Sequence, residues 1–302
     1  MERTLPYVNA FGTVDISSST NVGEALAMAG VDWEVVSNKI FDESGNEIPG
    51  YRANIRQDTG DTLGIVSDRY QIVQNYEAFD FVNELPLEGD FKFESAGIFR
   101  GGKSMWIMGS LPEVNILGDD ISNNVVFVNS HDGSSGVKVM MTPIRLICSN
   151  MINLATKEAD RIWAAKHTSG ISHKIDEARY TLSLADKYME KLEEEACRFT
   201  EIKLADSEIE AIIDKMFPVN YDVDSSRKIN NIIAFKNNFF ACYNEEDIKK
   251  FKGNAWGAIN AMADLIDHKL PGRNTTDYYA NHWSKLINGH ETLDRFVKEI
   301  RG

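Results

Sequence analysis

The apolar pattern of the chain changes period once, near Asn150, and that change limits it to a fold with a β-rich first part and a helical second part. Before Asn150, apolar residues alternate or cluster in short runs bounded by turn residues, as strands require. Beyond it, Ile175, Ala178, Leu182, Ala185, Met189, Leu192, Ala196 and Phe199 follow three-four spacing. That spacing predicts a helix of roughly 25 residues with one narrow apolar seam, which packs on another helix of the same chain or of a second copy. The expected class is α+β: an antiparallel, β-hairpin-rich N-terminal half packed with helices, and a helical C-terminal half. A lead-in segment (1–30), a β-rich α+β core domain (31–168) and a helical domain or layer (169–302) follow from the pattern. No flexible linker marks the joint near 165–172, so it joins either two layers or two domains.

Three hairpins are expected. Residues 51–55 and 63–73 flank Asp58-Thr59-Gly60-Asp61, whose Gly and Asp suit the positive-φ positions of a tight reversal. The second, 93–111, reverses at Gly101-Gly102, and both of its faces are apolar: Ile98, Met105 and Ile107 on one, Phe99, Trp106 and Met108 on the other. Strands apolar on both faces lie in mid-sheet, covered on both sides. The third pairs 125–128 with 137–148 through a turn at 131–136. Residues 33–36 read as a first strand, 42–46 as a turn, and Asp119-Asp120 as a solvated loop before a strand.

Helix signals are local. The cluster 17–21 supplies a cap for a helix over 22–29, and Asn75 an N-cap for a short helix to Leu85 that Pro86 terminates. Ser207 and Glu210 fit a capping box for a helix stopped by Pro218. Further helices are expected over 225–243, 254–268, 276–288 and 290–300.

With 302 residues, 43% hydrophobic and 26% charged, the chain can bury a real core. No stretch approaches the roughly 20 apolar residues of a membrane span, and the N-terminus has no basic-then-apolar leader pattern, so a cytoplasmic protein without membrane contact is expected. Cys148, Cys197 and Cys242 lie far apart with no metal spacing, which reads as buried reduced thiols. The net charge of −14 argues against coating duplex DNA by bulk attraction. Its distribution is uneven: residues 1–137 carry −13, 138–179 carry +3, and 180–302 carry −4.

No complete catalytic motif is present, so a non-enzymatic protein with no cofactor and no metal is expected. His131-Asp132 sits on a hairpin turn where neighbours point apart. Asp264 and His268 share a helix face as two potential metal ligands, but two ligands do not make a site. The 97–102 glycines lack the ending of a phosphate loop.

The basic residues remain. A two-residue loop at Gly101-Gly102 would pair Arg100 directly with Lys103, placing like charges at the hairpin tip. Lys138 and Arg145 differ in parity, but a bulge at Pro143 would turn Arg145 onto the face of Lys138. Arg161 and Lys166 extend the positive stretch with Trp163 between them. Cations beside an aromatic suit single-stranded nucleic acid, whose backbone needs charge and whose bases stack. Solvated surface charge with a buried Trp163 is the other reading of the same residues.

Several stretches carry a resemblance: 64–79 (GIVSDRYQIVQNYEAF), 128–134 (VNSHDGS), 142–150 (TPIRLICSN), 166–168 (KHT), 255–260 (AWGAIN) and Asp267-His268. Together they resemble, in order, the phage/plasmid-like protein family, a bacterial domain of unknown function. The resemblance implies a protein carried by phages, prophages or plasmids in a bacterial host cell, in a setting of DNA recombination, replication or defence evasion. It brings no catalytic residues. The order of hairpin, helix and hairpin also resembles that of single-strand annealing proteins, which hold single strands in a basic groove of a ring or filament.

The expected function is therefore a homo-oligomeric, non-enzymatic single-stranded DNA-binding or annealing protein. Arg100, Lys103, Lys138, Arg145, Arg161 and Lys166 would contact phosphates and Trp163 would stack. The alternative is an anti-defence or interaction protein whose acidic surface binds a host defence or DNA-processing protein.

Overall fold

A computed structural model describes residues 13–84, 91–145, 150–151, 162–168, 177, 185–269 and 290–302. The first half builds two antiparallel sheets. The larger contains β1 (Val14–Asp15), β5 (Lys92–Phe99), β6 (Ser104–Ile116), β7 (Asp119–Ser130), β8 (Val137–Arg145), β9 (Asn150–Met151) and β10 (Ile162–Ala165), in the order β1-β5-β6-β7-β8-β10, with β9 also on β8. The smaller is a meander of β2 (Val35–Phe41), β3 (Glu47–Arg56) and β4 (Thr62–Ser67). Consecutive Met105, Trp106, Ile107 and Met108 on β6 are all buried, which requires cover on both faces of the larger sheet. Two short helices, α1 (Val22–Ala29) and α2 (Asn75–Phe79), pack on β5 and β7, and Phe79 and Phe81 meet Phe127 edge to face.

The second half is helical: α3 (Ala185–Glu201), α4 (Asp206–Met216), α5 (Ser226–Tyr243), α6 (Glu246–Lys249), α7 (Ala255–Asp264), a π-helical turn (Leu265–Lys269) and α8 (Glu291–Arg301). Every residue of α7 is buried, packed among α3, α5 and α8. The expected seam packs inside the chain, with Met189, Leu192, Ala196 and Phe199 of α3 all in the core. Most buried apolar side chains form one continuous cluster from Ile16 to Val297, and Trp33, Val35 and Leu63 of the smaller-sheet end form a second.

The caps explain the helix bounds. Asn21 accepts the Glu24 N–H at 3.0 Å to start α1, and Gly30, at φ 65°, closes it in the left-handed region. Asn254 accepts the Gly257 N–H at 3.0 Å to start α7. A β-carbon at Gly257 would lie 2.3 Å from the Phe251 carbonyl oxygen, so only glycine fits there.

Several local expectations shift. Four residues, not two, join Phe99 to Ser104, so Arg100 and Lys103 are loop residues rather than a cross-strand pair; Arg100 itself takes φ 51°. The register of β7 with β8 is unbroken from Val128–Lys138 to Ile121–Arg145, so the bulge expected at Pro143 is absent. Pro143 stays in register opposite Asn123 of β7, and among the described residues nothing pairs with it on its other side, between the β10 and β9 ladders. Asp119 and Asp120 are strand residues, because Leu117 (φ 54°) and Gly118 (φ 80°) form a two-residue turn between β6 and β7. The strand expected to reach Val73 ends at Ser67.

Glu77 accepts the Gln74 N–H and Glu208 the Ala205 N–H, so α2 is capped at Gln74 rather than Asn75, and α4 at Ala205 rather than by the box expected from Ser207. Cys242 is buried as expected, whereas Cys197 is exposed on the outer side of α3. Cys148, the 276–288 helix and the start of the helix expected from 175 lie outside the described residues.

Candidate functional site

Five strand ends of the larger sheet meet at one edge of the molecule. There β5 hands over to β6 through 100–103, β7 to β8 through 131–136, and β10 runs out into 166–168. The smaller sheet covers this end, because β4 delivers 67–71 onto the same loops. Two glycines permit the approach: a β-carbon at Gly64 would lie 2.5 Å from Asp132 Cα, and one at Gly136 only 1.9 Å from the Ala165 carbonyl oxygen.

The loops stand on a buried polar network. Asn75 is not a cap; its Nδ2 donates to the Val31 carbonyl at 2.8 Å while its Oδ1 lies 2.8 Å from His131 Nε2 and accepts from Asn129 Nδ2 at 3.2 Å. An amide oxygen only accepts, so His131 carries its proton on Nε2 and Nδ1 is left as a lone pair with no hydrogen-bond partner. Asn54 Nδ2 ties the smaller sheet to the His131 carbonyl at 2.7 Å, and Trp33 meets the His131 ring edge on. Burial, with the neighbouring His167, pushes His131 down to about 4, so it is neutral near pH 7.

Above this network lies a cleft of about 510 Å³ lined by Ser67, Arg69 and Tyr70, by Gly133 to Gly136, and by Lys166 to Thr168. Tyr70 donates its hydroxyl proton to the Ser130 carbonyl at 2.7 Å and stacks on His167 at 4.7 Å. Burial pushes the Tyr70 phenol up, with the Asp132 charge adding to it. His167 Nδ1 bonds the Gln71 carbonyl at 3.1 Å, and burial lowers its pKa. Asp132 Oδ1 accepts from Ser134 N–H at 2.9 Å and Ser130 Oγ at 2.8 Å. Burial raises the Asp132 carboxyl, but these bonds and the charge of Arg100 outweigh it and hold it below its ordinary value.

Of the expected cations, Arg100, Lys103, Lys138 and Lys166 fall at this end of the sheet. Lys103 contributes its backbone carbonyl to His131 N–H at 2.8 Å. Lys138 is half-buried between Val128 and Ala164 of the flanking strands, and burial lowers its pKa. Arg145 lies at the other end of β8, seven residues or roughly 23 Å away. Arg161 lies outside the described residues. Trp163 stands opposite Val139 and is packed, half-buried, against the core.

Arg69 was not among the expected cations, although it lies in the quoted 64–79 run. Neither Arg69 nor Lys166 forms an ion pair in the described structure. The hydroxyls of Ser134, Ser135 and Thr168 stand beside them, and Ser135 Oγ is buried with no partner. Cations and hydroxyls around a polar cleft favour an oxyanion.

Asp264 is engaged by Lys269 Nζ at 3.3 Å rather than held open with His268. Among the described residues no group of three or more His, Cys, Asp or Glu side chains is placed to hold a metal ion, and no helix is long and apolar enough to cross a membrane. A family model described as Domain of unknown function (DUF932) matches residues 62–286, a span that contains the whole cleft. Comparison with curated proteins gives no match, and neither does comparison with solved structures.

Proposed function

We propose, starting from a chain that belongs to the Domain of unknown function (DUF932) family, that it binds single-stranded nucleic acid at the covered end of its larger sheet. One observation carries the reading: Arg69 and Lys166, neither with an acidic partner among the described residues, flank a hydroxyl-lined cleft in a chain of net charge −14. Two cations beside one cleft attract phosphate oxygens, which also accept from a neighbouring hydroxyl. Arg100 and Lys103 on the adjacent loop extend the positive edge along which a strand's backbone would run. Exposed single-stranded backbone and bases both suit such a site.

In this reading the protein is carried by a phage or plasmid and acts in the cytoplasm of a bacterial host, in recombination or replication. It assembles as a homo-oligomer so that neighbouring sheet ends present one strand for annealing. Fluorescence anisotropy of a labelled single-stranded oligonucleotide at two salt concentrations tests it. Four phosphate contacts give a slope of log affinity on log salt of about −3. Absence of binding at micromolar protein in low salt overturns the reading.

A further inference from the structure

The cleft has three walls, and each is joined to the other two. Gly64 brings β4 against Asp132, joining the first wall to the 131–136 loop. Gly136 brings that loop against Ala165, joining it to the end of β10. The Gln71 N–H donates to the His167 carbonyl at 3.1 Å, and Tyr70 stacks on His167, which joins the third wall back to the first. The three walls are therefore tied to one another about a single cleft. A terminal phosphate needs room for the chain on one side only, an internal one on both. The volume, about 510 Å³, falls within the range of about 300–1,000 Å³ that holds one small molecule.

We infer that this cleft takes a phosphomonoester: the terminal phosphate of a nucleic-acid strand, or that of a free nucleotide, rather than an internal phosphodiester. The inference rests on the reading that this end of the sheet meets nucleic acid, and it names which part enters. A phosphomonoester carries up to two charges and three terminal oxygens, against one charge and two for a diester. Arg69 and Lys166 match the two charges, and the Ser135 hydroxyl offers a donor for one of the oxygens. Ser135 Oγ is the telling group, since its burial without a partner is a cost that a bound oxygen removes.

The test uses the full chain and labelled oligodeoxynucleotides of one sequence, ending in a 5′-phosphate, a 3′-phosphate or hydroxyls alone. One phosphorylated form is expected to bind about tenfold tighter than the hydroxyl form. Unlabelled nucleoside monophosphate should remove that excess, and the nucleoside should not. R69Q with K166Q should abolish the excess, and S135A should reduce it, with unchanged circular dichroism as the folding control. Equal affinity for all three strands overturns the inference and leaves strand binding standing. Binding of the monophosphate with no strand bound supports the inference and overturns the proposed function. No binding of any probe overturns both.

Discussion

The two ends of the larger sheet handle charge in opposite ways. At the end away from the cleft, the turn between β6 and β7 places Asp119 in a buried position, where Lys250 Nζ meets its carboxylate at 2.5 Å and also donates to the Gly118 carbonyl. Asn115 and Asp120 close the same turn with a 2.7 Å hydrogen bond. Both signs of charge come from the chain, 131 residues apart, and the contact docks the helical half on the sheet. At the cleft end a buried hydrogen-bonded network carries the loops, and Arg69 and Lys166 beside the cleft form no ion pair among the described residues. A pair closed within the molecule reads as architecture. Two cations with no ion pair among the described residues are what the proposed function builds on.

Four measurements can break or sharpen that contrast. The largest effect is expected from Asn75→Ala, which strips partners from His131 Nε2 and the Val31 carbonyl, both buried, and should cost about 4 kcal/mol in urea unfolding. A loss under about 1 kcal/mol would mean the scaffold does not depend on the network.

Acid should act next. A histidine near 6.5 when unfolded and about 4 when folded binds its proton more tightly in the unfolded chain. Its stabilisation is whole above pH 6.5 and is lost as pH falls toward 4, a drop of about 3 kcal/mol to which His167 adds in the same direction. Urea midpoints at about pH 7 and about pH 4.5 should differ by less in His131→Gln than in the parent. Equal differences would remove His131 as the cause.

At the far end, Lys250→Met leaves the Asp119 carboxylate buried without its cation, at a cost of about 2 kcal/mol. Arg69→Gln and Lys166→Gln should change stability least, within about 0.5 kcal/mol, because neither forms an ion pair among the described residues. If either of these two cost as much as Lys250→Met, the contrast between the ends would fail.

What the sequence disclosed follows from what leaves a local trace. The hairpins at 51–67 and 92–116 announce themselves through Gly and Asp at the reversals, and the buried strands through runs apolar on both faces. The apolar seam of α3 needs only its spacing. Leu117-Gly118 was hidden because two aspartates follow it, and nothing local tells that Lys250 will neutralise the first. Asn75 carries a good capping residue's chemistry, so its use as a buried bridge between Val31, Asn129 and His131 is a tertiary fact. The cleft was least legible. Its walls come from segments around positions 69, 134 and 167, none of them periodic, and only the register of both sheets brings them together. Lys166 could be named from the basic stretch, but Arg69, on a loop between Asp68 and Tyr70, could not.

The buried α7 bears on how the chain is made. With no residue from Ala255 to Asp264 facing water, the helix has no polar side to keep it soluble alone. As the chain leaves the ribosome, α3, α5 and the sheet are complete while α7 is still bare on the side that Phe296 and its neighbours will occupy. Until α8 emerges, that strip is an uncovered apolar surface on the nascent protein, open to aggregation until α8 docks.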